Sequence, residues 1–578
     1  MSQQHSDIAP LGYPDASEKG LKSGALGLLS SVVVGTASTA PAYSLAASLG
    51  FVVASGGALL AGVKAPAIMI LAFIPMYFIA IAYQELNKAE PDCGTTFTWA
   101  TRTFGPTIGW LGGWGIIAAD VIVMANLAQV AGSYTFTLFG LTDLGSNVWA
   151  STAAGLAWIG IMTWICYRGI EVSARLQYVL LSIEVIVLVL VAVVALVRVY
   201  GGTAMEYSLI PQWDWLWPGG LDFGDVIAPG LLTAFFIYWG WDTALSCNEE
   251  SDDPRSTPGR AAVISTVLLL GTYAIVTIAA VAFAGVGTDG IGLGNPDNAV
   301  DVFNAIGPAL FGDSILGKIG MALLAASILT SASASTQTTI LPTARTALSM
   351  GVYKALPKSF AKVHPKYLTP STATIAMGVV SAVFFLGFTA MGSQMLTAVI
   401  GSIGLMIAFY YGLTGFACTW FYRKSIFADA RSFLMRGLIP LAGGVTMLAT
   451  FFYGLGQFLS PDWLQDENGE NITLFGYGAV GVTGLLAMAI GLVLMFVWWA
   501  VDEDFFHGRT LPMRGGHDLV LAGPHVNPEG GVALPDSGLP EIVIAPDLSN
   551  LPEDALVVDL ATGKVVHDTA GAPDPGEG

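Results

Sequence analysis

Three carboxylates stand among apolar neighbours, where a charge is costly. Asp120 lies in GWGIIAADVIVMANLAQ, Glu184 in QYVLLSIEVIVLVLV and Asp242 in FFIYWGWDTALSCNEE. An ionisable group inside a membrane span is by default a candidate for holding a cation or exchanging a proton. No Lys or Arg stands at comparable depth in these stretches, so the interior read from the sequence is electronegative. Each carboxylate also has a plainer reading. Asp242 stands at a helix break and can cap the half-helix that follows. Asp120 can hydrogen-bond a Ser or Thr of a neighbouring helix while protonated. Glu184, flanked by Ile and Val, must be neutral, paired across helices, or titrating during function.

Polar and aromatic residues gather near the same places. Phe235, Phe236, Tyr238, Trp239 and Trp241 crowd Gly240, and five aromatics there read as the wall and lid of a pocket for an amine. The stretch ILTSASASTQTTILPTAR carries small hydroxyl residues from Thr330 to Thr339. Close helix packing is their ordinary use. Thr330, Ser331 and Ser333 are also candidate oxygen ligands for a cation. Asn126 and Gln129, three residues apart, share a helix face and read as interhelical hydrogen-bonding groups.

The elements that must position these residues are membrane spans. Of 578 residues, 54% are hydrophobic and 11% charged, too few charges for a soluble multidomain chain. Apolar runs mark twelve spans, near 26–54, 65–85, 107–138, 148–167, 176–199, 224–248, 260–286, 316–344, 372–391, 395–422, 434–459 and 473–501. The first, third, sixth, eighth and tenth are long enough to be tilted or broken. Two carry helix breakers about 200 residues apart, at GLLSSVVVGTASTAPAYSLAASLG and GLLTAFFIYWGWDTALSCNEE. Interrupted spans persist where they line a cavity or site.

Twelve spans also sort the basic residues. With the N-terminus inside, only Lys64, Arg198 and Lys318 of the 23 Lys and Arg fall outside, so both termini are expected in the cytoplasm. The first span is expected to direct insertion, since no signal-peptide core precedes it. The net charge of −19 comes largely from the segment after Val501, with 14 acidic and 3 basic residues. Rich in Gly and Pro, that tail is expected to be disordered or weakly folded, with β-prone runs at EIVIAPDL and ALVVDLATGKVV. The expected division is a tail at 1–22, a transporter domain at 23–501 and an acidic tail at 502–578. Cys93, Cys166, Cys247 and Cys418 lack paired spacing, so neither a disulfide frame nor a metal site is expected. No zinc-binding His pattern or phosphate-cradling glycine loop is present, and no His falls in a span, so an enzyme is not expected.

Four segments carry a resemblance to the amino acid–polyamine–organocation superfamily of secondary transporters. They are ELNKAEPDCGTTFTWATRTFGPTIGWLGGW, CYRGIEVSARLQ, FFIYWGWDTALSCNEESDDPRSTPGRA and ALSMGVYKALPKSFAKVHPKYLTP. The resemblance covers about residues 22–500. It implies an all-α membrane protein of LeuT-like fold, with spans 1–5 and 6–10 as inverted repeats, spans 1 and 6 broken, and two further spans outside. It also implies that amides of Gly35, Thr36, Ala37, Ser38 and Thr39 receive a substrate carboxylate, and carbonyls from Tyr238 to Gly240 its amine. Two departures stand out. GTASTAPAYS replaces the family's G-S-G-I-F, and Glu184 falls where some proton-coupled relatives carry a lysine.

The expected function is secondary active import of an amino acid or related organic amine across the cytoplasmic membrane. Asp120, Phe235, Tyr238, Trp239, Gly240, Trp241 and Asp242 join the residues from Gly35 to Thr39 as the substrate site, and Glu184 carries the coupling proton. The electronegative interior tilts the substrate towards amines. Na⁺ coupling, an amine antiporter and a nontransporting nutrient sensor are the alternatives. No cofactor, metal or nucleic-acid partner is expected; the partners are the substrate, H⁺ or Na⁺, and lipid.

Overall fold

The computed structural model describes residues 19–55, 58–465 and 469–513, with three strands at 519–522, 556–559 and 564–568. Helices α1 (Leu28–Ser38) and α2 (Pro41–Val53) form the first span, and α3 (Ala65–Ala89) the second. A short α4 (Thr96–Phe104) precedes α5 (Pro106–Leu138), α6 (Thr142–Ser146), α7 (Val148–Arg168) and α8 (Ile170–Tyr200). The sixth span is divided into α9 (Ala228–Ile237) and α10 (Thr243–Ser246). Then come α11 (Thr257–Ala284), α12 (Val302–Phe311), α13 (Ile315–Val352) and α14 (Ser371–Met391). The tenth span steps at Ser402 between α15 (Ser393–Gly401) and α16 (Ile403–Phe421). The chain continues through α17 (Ala430–Ser432) and α18 (Ile439–Phe458) to α19 (Ala479–Val501).

Among the described residues, 11 stretches are long and apolar enough to cross a membrane. The expected sixth span is absent from them because its break leaves pieces of 10 and 4 residues. Counting it gives the twelve expected spans. The first break follows from Pro41, which has no N–H to continue the helix, and from Ala40, whose φ of 46° is left-handed. The second break turns at Gly240, with φ of 120°.

The repeat is inverted. The connecting helix α4 follows span 2 on the face where both ends of the bundle lie, whereas α12 follows span 7 on the opposite face. Arg198, at the far end of α8, donates to the Ala309 and Leu310 carbonyls of α12 at 2.5 and 2.8 Å. Of the tryptophans expected to form an interfacial belt, Trp213 and Trp217 are exposed, but Trp215 is buried against the core.

Two corrections concern the ends of the spans. Helix α13 runs to Val352, so Arg345, placed by sequence in a loop, lies inside the helix and is buried. It pairs with Glu250 at 2.5 Å, so the interior does hold a base, already neutralised. Residues 502–513, expected in the tail, pack on the bundle instead. Phe505, Phe506 and Leu511 are buried, Thr510 donates to the Tyr353 carbonyl at 2.5 Å, and Lys354 pairs with Asp504 at 2.8 Å. Farther on, the strands β1 (Leu519–Ala522), β2 (Leu556–Asp559) and β3 (Lys564–Asp568) form an antiparallel sheet, the last two within ALVVDLATGKVV and just beyond it. The run EIVIAPDL lies outside the described residues.

The segment before α1 fastens the same face. Its backbone pairs with the end of span 6, Ala25 and Leu26 donating to the Glu250 carbonyl at 2.8 and 3.0 Å. Lys19 is buried and bridges Asp92 and Glu249, each at 2.7 Å. Asp92 also accepts from Ser349 and Tyr353 at the end of α13, at 2.8 and 2.9 Å. Burial opposes the charge of Asp92, but the Lys19 ammonium and these donors outweigh it and hold the carboxyl down at about 2. Its contribution to stability is therefore whole above about 3.9, the value of a free Asp, and declines as pH falls to about 2. Removing the cation strands two buried carboxylates, at a cost of about 3–5 kcal/mol. Lys19→Met should lower the melting temperature in detergent and open the adjacent Cys93, buried in the native protein, to maleimide. An unchanged melting point with Cys93 still protected would show that Lys19 does not fasten this face.

Candidate functional site

The two breaks meet. A Cβ on Gly240 would fall 2.7 Å from the Ser38 carbonyl oxygen, so only glycine lets the second break approach the first this closely. The Ser38 hydroxyl lies 2.8 Å from that of Thr243, and Ser335 of α13 donates to the Ser38 carbonyl at 2.9 Å. Helix α13 thus faces the junction through residues spaced four apart, Ser331, Ser335 and Thr339.

Beside the junction lies a small cavity lined by Ser38, Asp120, Trp239, Gly240, Asp242, Thr243, Thr339 and Pro342. In this closed conformation it has room only for water-sized occupants. Asp120 stands 14 residues beyond the start of α5, about 21 Å along the helix. Its carboxylate accepts from Thr343 at 2.5 Å, the partner type expected for it. Asp242 does not cap α10 with its side chain. It accepts instead from Tyr411 at 3.0 Å and Tyr410 at 3.2 Å, and the Trp239 indole donates to the Tyr410 hydroxyl. No Lys, Arg or His lines the cavity. Two carboxylates, three hydroxyls and an indole make a receptacle for a cation.

Glu184 stands elsewhere on the same junction. It too is 14 residues into its helix, because α8 begins at Ile170, six residues before the expected start. The carboxylate is fully buried but not isolated. Its Oε1 accepts from the Ala42 amide and the Ser331 hydroxyl, each at 2.7 Å, while Oε2 has no hydrogen-bond partner. Ser331 in turn accepts from the Tyr43 amide at 3.2 Å. Glu184 therefore ties α8 to the start of α2 and to α13.

Of the other expected site residues, Ser38 lines the cavity and the rest do not. Gly35, Thr36, Ala37 and Ser38 belong to α1, so their amides serve the helix and form no open cradle. Thr39 is also occupied, its amide and hydroxyl both donating to the Thr36 carbonyl at 3.2 and 2.8 Å. Phe235 is buried in the apolar core. Tyr238 turns away to the Met69 carbonyl at 3.1 Å and packs edge-on against Tyr273. The Ile237 carbonyl accepts from Tyr273 at 2.6 Å. Trp241 packs between Tyr83 and Tyr411. Of the expected ion ligands, Ser331 reaches the first break, whereas Thr330 bonds to its own helix at Ser327 and the buried Ser333 hydroxyl has no hydrogen-bond partner. Asn126 donates to the Tyr43 hydroxyl on α2, and Gln129 is exposed. Sequence reasoning reached Thr339 as the last of the hydroxyl run but missed Thr243, Thr343, Tyr410 and Tyr411. Nothing local marks the tyrosines of α16.

A family model described as amino acid permease matches residues 26–483. An uncharacterized transporter of Mycobacterium tuberculosis is 28% identical over 364 residues, 62% of this chain and 72% of its own length. The branched-chain amino acid permease BcaP of Bacillus subtilis is 26% identical over 57% of this chain and 69% of its own. The vacuolar cationic amino acid transporter 4 of Arabidopsis thaliana is 26% identical over 63% and 60%. Among solved structures, MhsT in complex with L-phenylalanine superposes with a TM-score of 0.55 at 14% identity, covering 75% of this chain and 99% of MhsT. At that identity the likeness is one of fold, and it agrees with the LeuT-like arrangement of broken spans and inverted repeats. With the match running through eleven of the twelve spans and into the last, the chain belongs to the amino acid permease family.

Proposed function

We propose that this protein is a proton-coupled secondary transporter that brings an amino acid or related organic amine across the cytoplasmic membrane, with both termini inside. The observation that carries the substrate reading is the cavity at the meeting of the two breaks, lined by Asp120 and Asp242 and by no base. An ammonium group there finds two carboxylates and the Trp239 indole. The basic residues concentrated on the face that carries both ends support the orientation.

Glu184 supports the coupling. Ionised, it makes charge-assisted hydrogen bonds to α2 and α13, which are about twice as strong as neutral ones. Taking up a proton weakens both bonds. Releasing the proton restores them. A carboxyl that joins one half of a broken span to two neighbouring helices can therefore link its proton to their relative movement.

Purified protein in liposomes tests this reading. Wild type should take up an amino acid or amine faster when an inward proton gradient is imposed, and Glu184→Gln should lose that response while still binding substrate. A variant that responds as wild type does would remove Glu184 from coupling. Uptake that requires Na⁺ and survives collapse of the proton gradient would replace the proton with Na⁺. Separately, Asp242→Asn should raise KM for a cationic amine about tenfold, and less for a neutral amino acid. Equal losses would assign Asp242 to holding Tyr410 and Tyr411.

A further inference from the structure

The N-terminus of a half-helix inside a membrane protein is a natural seat for a ligand's carboxylate, because its first amides lack partners and its dipole is positive there. In this chain that seat is filled by the protein itself. At the start of α2, Pro41 has no amide hydrogen, the Ala42 amide donates to Glu184 at 2.7 Å, and the Tyr43 amide donates to Ser331 at 3.2 Å. The next amide, Ser44, already bonds to the Ala40 carbonyl at 2.8 Å. At the second break, the Thr243, Ala244 and Leu245 amides bond to the carbonyls of Gly240, Trp241 and Asp242 at 3.1, 3.2 and 2.9 Å. The amides that open each half-helix are therefore already taken up.

Side chains do not make good the loss. The cavity's charged groups are Asp120 and Asp242, and two of its hydroxyls, Ser38 and Thr243, face each other at 2.8 Å. Arg345, on the same helix as Thr339, is committed to Glu250. A ligand carboxylate would meet two carboxyl groups and no cation, with a third, Glu184, holding the Ala42 amide that could have received it. An ammonium meets the reverse. We infer that the substrate is an organic amine without a carboxylate, and that Glu184 stands in for the carboxylate an amino acid would bring. This rests on the transport reading above and narrows its substrate class.

The test compares pairs that differ by one carboxylate: ornithine with putrescine, lysine with cadaverine, and phenylalanine with phenethylamine. Full-length protein in liposomes should take up at least one amine with kcat/KM about tenfold or more above that of its amino acid. An amino acid carried as well as or better than its amine overturns the inference and leaves transport standing. Uptake of neither class removes the transport reading and the inference with it. Equilibrium binding, which needs no driving gradient, supplies the second arm. Glu184→Ala frees the Ala42 amide and should reduce the amine-to-amino-acid affinity ratio about tenfold, whereas Glu184→Gln, which keeps an acceptor in place, should reduce it less. An unchanged ratio in both variants, each confirmed as folded by its melting curve, would show that Glu184 does not exclude the carboxylate.

Discussion

A helix interrupted within hydrocarbon exposes backbone donors and acceptors where no water can reach them, and each must find a partner inside the protein. The two breaks in this chain meet that constraint largely with side chains of α8, α11 and α13. Ser335 reaches the Ser38 carbonyl, Ser331 the Tyr43 amide, Tyr273 the Ile237 carbonyl, and Glu184 the Ala42 amide. The hydroxyl-rich face of α13 is thus explained by backbone satisfaction as much as by ligand chemistry. The cavity exists because the breaks cannot be packed away, and its lining is what remains after their own polar groups are paired.

Charge is distributed with a clear division of labour between depth and surface. Deep in the bundle stand Asp120, Glu184 and Asp242, held by hydroxyls, amides and phenols and not by bases. Towards the face that carries both ends, buried acids are matched with bases: Lys19 with Asp92 and Glu249, Arg102 with Glu90, Arg345 with Glu250. Those pairs stitch the segment before α1, the loop after α3, the end of span 6 and the end of α13 into one closed face.

Much of the fold was legible because membrane spans are written in composition. Spans 3, 4 and 9 match the helices α5, α7 and α14 to within one residue, and the breaks at Pro41 and Gly240 fall where the helix breakers stand. The misreadings have a common cause. Arg345 was assigned to a loop and residues 502–513 to a tail because charge and polarity mark the end of a hydrophobic run, but a helix or strap continues wherever protein covers it. Glu184 was read as lacking a local partner, correctly for its own helix, yet Ala42 and Ser331 reach it from positions 142 and 147 residues away.

By itself, the sequence determined that this chain is a membrane bundle with two broken spans, an electronegative interior and a basic face, since these follow from residue type and from periodicity along one helix. Only the tertiary structure decided which way each side chain turns at the junction. It set Asp120 and Asp242 on one cavity, sent Tyr238 and Trp241 into aromatic packing away from it, and brought Tyr410 and Tyr411 to Asp242. It also placed Glu184 at the start of α2, where a ligand carboxylate could otherwise bind. The physical reason is that an unsatisfied donor or acceptor is paired by whatever group folding brings within reach, and that choice belongs to the packing of helices far apart in the chain.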